Sequence, residues 1–322
     1  MAQTTSRMKF HLDLKAKPAP FELQCNDTIV FEGSCFSEHL YERLNAYNLP
    51  VFSNMFGNIY HPLAINQILR SVLTQNEVPV TSFVKRDTNR YCSFFTHGQI
   101  SASDPQALQN TLRQQQAKQF KVLLKSKALF ITWGSAWVYK HKQHDFVCAN
   151  CHKQPASDFW KELSDVHDLV LSSSSILTLL KNINPDLKII FTISPVKHLR
   201  DGIHENVLSK SVLHVALHML IQKHPDIYYF PSFEWIQEDL RDYRFYKADL
   251  AHPNSQAIDY IWKKFITTFY NKDQQLLFEV LEDYTKFQNH ISENRSASDL
   301  QHQQNLLKKI KSMAPHWMPN AH

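Results

Sequence analysis

The sequence predicts an α/β fold in which a mostly parallel sheet is covered by helices on both faces. Short apolar, β-branched runs recur at 27–31, 128–132, 187–193 and 226–230. Segments with helical spacing separate them, and alternation of that kind favours crossover-connected parallel strands. The runs are mostly apolar rather than strictly alternating, as expected for strands buried on both faces.

The elements follow in order. Met1 to Asn26 reads as an irregular lead-in with a short strand around Met8–Leu14. Asp27 to Phe31 is the first core strand. It stops at Glu32-Gly33-Ser34, and Ser37 to Asn45 continues as a helix. Pro50 to Pro62 is an aromatic-rich connection, and Leu63 to Leu73 a helix. Arg90 to Ile100 alternates like a strand or hairpin, and Pro105 to Lys125 is a helix. Ala128 to Thr132 is the second core strand, ending at Trp133-Gly134-Ser135. Phe146 to Pro155 is a loop or short strand pair. Ala156 to Asn182 holds two helical stretches, Ser157–Val166 and Ser172–Asn182. Leu187 to Ile193 is the third core strand, stopped by Ser194-Pro195, and Asn206 to Lys223 is an amphipathic helix. Asp226 to Phe230 is the fourth core strand. Pro253 opens a helix running to about Tyr270, because proline loses no partner in a first helical turn. From Lys272 the chain is rich in Gln, Glu and Lys and helical by pattern. The whole divides into a lead-in (1–26), a main α/β domain (27–271) and a helical extension (272–322).

Composition narrows the function classes. The chain has 322 residues, 43% of them hydrophobic, enough for a sizeable core. Its net charge of +5 is scattered, without the dense basic stripe that tracks a phosphate backbone, so no nucleic-acid partner is expected. No apolar run reaches the roughly 20 residues of a membrane span. Met1 to Pro20 lacks an apolar secretion core, and the five cysteines follow no framework spacing. A cytoplasmic location is the expectation. Only five glycines occur, at 33, 57, 98, 134 and 202, where average usage would give about twenty. A chain this sparing keeps glycine where no Cβ fits.

Two of the motifs carry chemistry. Gly33-Ser34-Cys35-Phe36 lies between a core strand and a helix, and open parallel sheets bind ligands at the carboxyl ends of their strands. A serine there is presented beside free N–H groups and the positive end of a helix dipole, though serine also commonly caps helices. Asp249-Leu-Ala-His252 places a carboxylate and an imidazole within one turn, close enough for the carboxylate to orient a general base. Alone, that spacing is equally an aspartate capping the next helix.

Taken together, serine early and D-x-x-H late is the chain order of the SGNH hydrolases. The longer match is closer. Gly33-Ser-Cys-Phe36, Phe56-Gly-Asn58, Thr132 to Tyr139, Asn150-Cys-His152, Ser194 to His198, Arg200-Asp-Gly202, Arg241 to Tyr246 and Asp249 to Pro253 together resemble the GSCFA family. The resemblance covers about residues 30–269. It implies a flavodoxin-like three-layer α/β/α fold related to the SGNH hydrolases, with 27–271 as the catalytic domain. By the same resemblance Ser34 is the nucleophile, His252 the general base and Asp249 its orienter. The Ser34 and Gly57 N–H groups are implied oxyanion donors. The wider SGNH pattern adds an asparagine after the third-block glycine. This chain reads Gly134-Ser135-Ala136 there, which leaves Ser135, Asn58 or Asn150 to supply the third donor. The implied function is ester hydrolysis through an acyl-enzyme on Ser34, including removal of O-acetyl groups from a carbohydrate. O-acyl transfer by the same residues, or ligand binding on an inactive scaffold, are the alternatives. The substrate is a small-molecule or carbohydrate ester, and the chemistry requires no metal or organic cofactor.

Other residues admit competing readings. Cys148-Ala-Asn-Cys151-His152 matches the C-x-x-C-H pattern of c-type haem attachment, but no export signal or second ligand accompanies it. The segment reads better as a loop against the site, with Asn150 and His152 pointing inward. Cys35 packs inward beside the serine. His198 follows the third core strand, placed either to bind polar groups of a substrate or to shape its loop. Arg241 to Tyr246 reads as a buried network holding the D-x-x-H loop.

Overall fold

The computed structural model describes residues 12–289 and 297–318. β1 (Ile29–Gly33) leads into α1 (Phe36–Ala46), followed by β2 (Val51–Ser53) and α2 (Pro62–Thr74). A hairpin, β3 (Phe83–Asp87) and β4 (Arg90–Ser93), precedes α3 (Pro105–Lys125) and β5 (Ala128–Trp133). β6 (Trp137–His141), β7 (Val147–Cys148) and β8 (Phe159–Leu163) then form an antiparallel sheet in the order β7-β6-β8. α4 (Val166–Ile183), β9 (Lys188–Ile193), α5 (Ile203–Lys223) and β10 (Tyr228–Tyr229) return to the main sheet. The short α6 (Ser232–Glu234) and the longer α7 (Ser255–Phe269), α8 (Lys272–Asn289) and α9 (Ala297–Met313) follow.

Among the described residues, the central sheet has five strands in the order β10-β9-β5-β1-β2, every neighbouring pair parallel. Counted along the chain, its strands lie 2-1-3-4-5, the flavodoxin-like arrangement. Register explains why both faces are apolar. Val30, Leu129 and Ile189 are aligned and face α2, α3, α4 and α5. Phe31, Phe130 and Ile190 are aligned one residue on, and face α1 and α7. Side chains alternate along a strand, so a single register sorts the sheet into two cores. Phe31 stacks on Phe130 with ring centroids 5.0 Å apart.

The described part of the lead-in is tied to α7: Ala19 N–H donates to Thr268 O and Leu23 N–H to Phe269 O, both at 2.8 Å. Residues 8–11 of the expected early strand lie outside the described residues, and the chain from Leu12 is irregular. The C-terminal helices join the α1/α7 face. Leu277, Phe278 and Leu281 of α8 and Ile310 of α9 share its core, and Trp317 Nε1 donates to Tyr47 O at 2.7 Å. No described helix is long and apolar enough to cross a membrane.

Four expectations are corrected. Ser157–Val166 is not a helix: after a turn at Ala156–Asp158 it forms β8, pairing residue by residue with β6. The helix expected at Ser172–Asn182 starts earlier, at Val166, where Asp165 accepts from His167 N–H. The aromatic connection contains β2, which completes the sheet edge. Pro253 lies before its helix, bridged to Tyr246, and Asn254 is the cap, accepting from Ala257 N–H.

Candidate active site

The strand order reverses between β1 and β5, the position where such sheets open a crevice at their carboxyl ends. Ser34 stands at that point. Gly33 has φ +121°, and a Cβ there would lie 2.2 Å from Thr132 O, so only glycine lets β1 turn out against β5. Ser34 is 1% exposed, and its Oγ has no hydrogen-bond partner. It does not cap α1; Cys35 holds that position, without a side-chain cap bond. The capping explanation for this serine is thereby removed. Cys35 packs against the α1/α7 core, and burial pushes its thiol pKa up.

Asp249 and His252 form a self-contained turn. Asp249 Oδ1 accepts the Ala251 and His252 N–H groups, both at 2.9 Å, while Oδ2 lies 2.7 Å from His252 Nδ1. Leu250 takes φ +56°, the left-handed conformation that folds the chain back on itself. The His252 N–H, the Ala251 N–H and the imidazole hold the Asp249 carboxyl down to about 2. An ionised carboxylate at Nδ1 fixes the proton there and leaves Nε2 as the acceptor. The turn is moored to the sheet edge, where Lys197 N–H, just beyond β9, donates to Ala251 O at 3.1 Å. Its neighbour Lys247 is near enough to α1 for its charge to act on Cys35 and His39. No hydrogen bond joins Ser34 Oγ to His252.

The expected oxyanion donors are corrected. Ser34 N–H donates to Thr132 O at 3.1 Å, because the β1–β5 ladder runs one residue past the strand. Gly57 N–H closes a tight turn onto Asn54 O at 2.7 Å. Both groups are spent. Gly134 and Ser135 N–H both donate to Tyr60 O, at 2.8 and 3.1 Å. Ser135 Oγ accepts from Trp137 N–H at 3.1 Å and lies 3.4 Å from Ser209 Oγ. Asn150 Oδ1 accepts His152 N–H at 2.8 Å, and His152 Nε2 bonds Ser93 O at 2.7 Å. These bonds tie Asn150 and His152 to each other and to β4, not to Ser34.

Asn58 is differently placed. Its Oδ1 accepts from Asn54 Nδ2 at 2.6 Å, and Asn54 Oδ1 accepts from Gly33 N–H at 2.8 Å. The chain of bonds starts one residue from the serine and orients the Asn58 carboxamide, whose Nδ2 has no protein partner among the described residues. Gly57 makes this turn possible: at φ +77°, an added Cβ would meet His97 Cβ at 2.3 Å.

Two side chains converge on Gly134, whose own added Cβ would lie 3.3 Å from Ser34 Cβ. His198 is close enough to the Gly134 carbonyl to feel it, and sits edge-on to Tyr60 at 5.7 Å. Its backbone N–H is held by Asn206 Oδ1 at 2.9 Å. Burial, then the charges of Lys210 and His252, push it down to about 4, so it is a neutral imidazole, and its Nε2 is buried without a partner. Lys210, which sequence reasoning missed, is 4% exposed. Its Nζ donates to Gly134 O and to Ser194 O, each at 2.7 Å, bracing the ends of β5 and β9. Burial pushes it down to about 7, while the two carbonyl acceptors favour the ammonium. A signal was present: Lys210 lies in the same helical stripe as Leu213, Leu217 and Leu220, all buried. A charge on a buried stripe asks for partners. Glu32, on the strand just before the corner, is likewise buried; burial pushes its carboxyl up to about 8, and Gln119 Nε2 donates to it at 2.5 Å.

The run from Arg241 to Tyr246 is not a buried network. Arg241 is solvent-exposed beside Glu238 at 3.5 Å, and Asp242 caps its own turn by accepting from Arg244 N–H at 2.8 Å. Lys197 instead lies over the Tyr246 ring at 3.9 Å.

Comparison with known proteins adds the following. A model of the GSCFA family matches residues 28–265. No curated protein matches the chain. Among solved structures, it is similar to an acetyl xylan esterase from the rumen bacterium Butyrivibrio proteoclasticus. That match has 8% identity and a TM-score of 0.38, over 78% of this chain and 64% of that one. The chain thus spans less than two thirds of that structure's length. It is also similar to a carbohydrate esterase family 3 structure from Talaromyces cellulolyticus, with 10% identity and a TM-score of 0.36, over 80% of this chain and 99% of that one.

Proposed function

The chain belongs to the GSCFA family, and from that premise we propose that it hydrolyses esters through an acyl-enzyme on Ser34. The observation that carries the reading is the Asp249–His252 bond of 2.7 Å, which leaves Nε2 free to act as a base, together with a Ser34 hydroxyl that no protein group holds. In the reaction, His252 Nε2 takes the serine proton as Oγ bonds to the ester carbonyl carbon. The Asn58 amide donates to the resulting oxyanion. Collapse breaks the C–O bond, and the imidazolium returns the proton to the leaving alcohol. Water, deprotonated by the same imidazole, then releases the acid and restores Ser34. A small-molecule or carbohydrate ester, O-acetyl groups included, is the substrate class. A hydroxyl in place of water makes the same residues an O-acyltransferase.

A second reading, a ligand-binding protein on this scaffold, is favoured by one observation: Ser34 Oγ is buried and makes no bond to His252. Labelling with a fluorophosphonate, read by intact mass, separates the two. One label per chain on the wild type, none on Ser34→Ala and much slower labelling of His252→Ala are expected of the hydrolase. A wild type that stays unlabelled while a known serine esterase reacts would leave the binding protein standing.

A further inference from the structure

We infer that the groove between α5 and the 233–250 segment, which shares Leu250 with the Asp249–His252 turn and Lys210 with the Gly134 corner, receives an apolar acyl group of the ester; this deepens the hydrolase reading and rests on it. Helix α5 carries two apolar stripes. One faces the core, and the other, with Ile203 72% and Val207 54% exposed, faces outward. Single exposed apolar residues need no explanation, but this stripe lines a groove of about 680 Å³ with Phe233, Tyr243 and Leu250. That volume lies in the range of small-ligand sites.

Continuity with the reaction centre identifies the occupant. Leu250 is the left-handed residue between Asp249 and His252, so one wall of the groove is the loop that holds the base. Lys210 lines the groove and at the same time bonds Gly134 O, against which Ser34 packs. Its methylene stem is apolar and its ammonium is turned to the two carbonyls, so the inner end of the groove presents hydrocarbon. Asn206, also in the lining, positions His198. Leu250 and Lys210 are thus walls that the groove shares with the site, and an acyl group on Ser34 is the occupant they would guide into it.

The test is kcat/KM for p-nitrophenyl acetate, butyrate and hexanoate. Each methylene buried should raise kcat/KM about fourfold, a hexanoate preference over acetate of about 250-fold. Val207→Arg and, separately, Ile203→Asp should cut the hexanoate-to-acetate ratio at least tenfold. Leu171→Asp, an equally exposed apolar site on α4 outside the groove, should leave the ratio unchanged. Acetate turnover with no chain-length dependence overturns the groove assignment alone. So does a ratio that Val207→Arg does not move, and dimerisation lost in that variant would then assign the groove to a second copy. A chain inert to every ester and unlabelled by fluorophosphonate removes the hydrolase reading and the acyl assignment with it.

Discussion

Replacing Ser34 with alanine should abolish ester turnover and, at the same time, make the protein more stable. The hydroxyl is buried and pairs with nothing, so its removal deletes no hydrogen bond. A buried polar group left unpaired costs about 1–3 kcal/mol. The Cβ that packs against Gly134 is retained in alanine. The vacated space is that of one oxygen, on the order of 15 Å³, and at ~24 cal/mol per Å³ it returns only about 0.4 kcal/mol. The net gain is about 0.6–2.6 kcal/mol. Urea unfolding followed by far-UV circular dichroism measures it directly, as a higher midpoint with an unchanged m-value. A variant destabilised by about 1 kcal/mol or more would refute the reasoning, since it would mean the hydroxyl has a partner in solution. Retained turnover would separately sink Ser34 as the nucleophile.

Further expectations concern the supporting groups. Burial lowers Lys210 from 10.5 to about 7, so between those values the unfolded chain binds more protons than the native one. Relative to Lys210→Met, the wild type should gain up to about 1.4 kcal/mol per pH unit from pH 7 towards pH 10.5, an advantage complete above the unfolded pKa and lost as pH falls through 7. Urea midpoints of the two proteins that keep a constant gap from pH 6 to 9 would contradict this. Asp249→Asn keeps an oxygen for the two backbone N–H groups but removes the carboxylate that fixes the His252 tautomer. A fall in kcat on the order of 10³–10⁴ with little change in KM is expected, and a loss under tenfold counts against the pair. Asn58→Ala should lower kcat about 100- to 1000-fold, as for a lost oxyanion donor. An effect on KM alone would make Asn58 a binding residue instead.

The sequence made the core strands and the Gly33–Ser34 corner legible because both depend on local chemistry. Apolar runs long enough to fill two faces mark buried strands, and a scarce glycine before a serine marks a corner where no Cβ fits. The antiparallel sheet was not legible. In β8, Phe159 and Leu163 are four residues apart, a spacing that satisfies a strand's period and a helix's equally. Only the pairing with β6, through Trp137↔Leu163 and His141↔Phe159, decides between them. The oxyanion groups failed for a related reason. A backbone N–H carries no mark in the sequence of whether a neighbouring strand already holds it, as Thr132 O holds Ser34 N–H. Lys210 was hidden because its two acceptors are backbone carbonyls from strands far away in the chain.

The Asp249–His252 turn has a consequence for how such a site can change over time. Every bond that sets its electrostatics, from the two N–H donors to the carboxylate–imidazole contact, lies within four consecutive residues. The turn therefore travels as a unit: the exposed stretch before it can lengthen, shorten or change sequence and carry the base to a new position without detuning it. The proton chemistry is in that sense heritable apart from the surroundings of the turn, and Leu250 is the one residue through which the turn also shapes the groove.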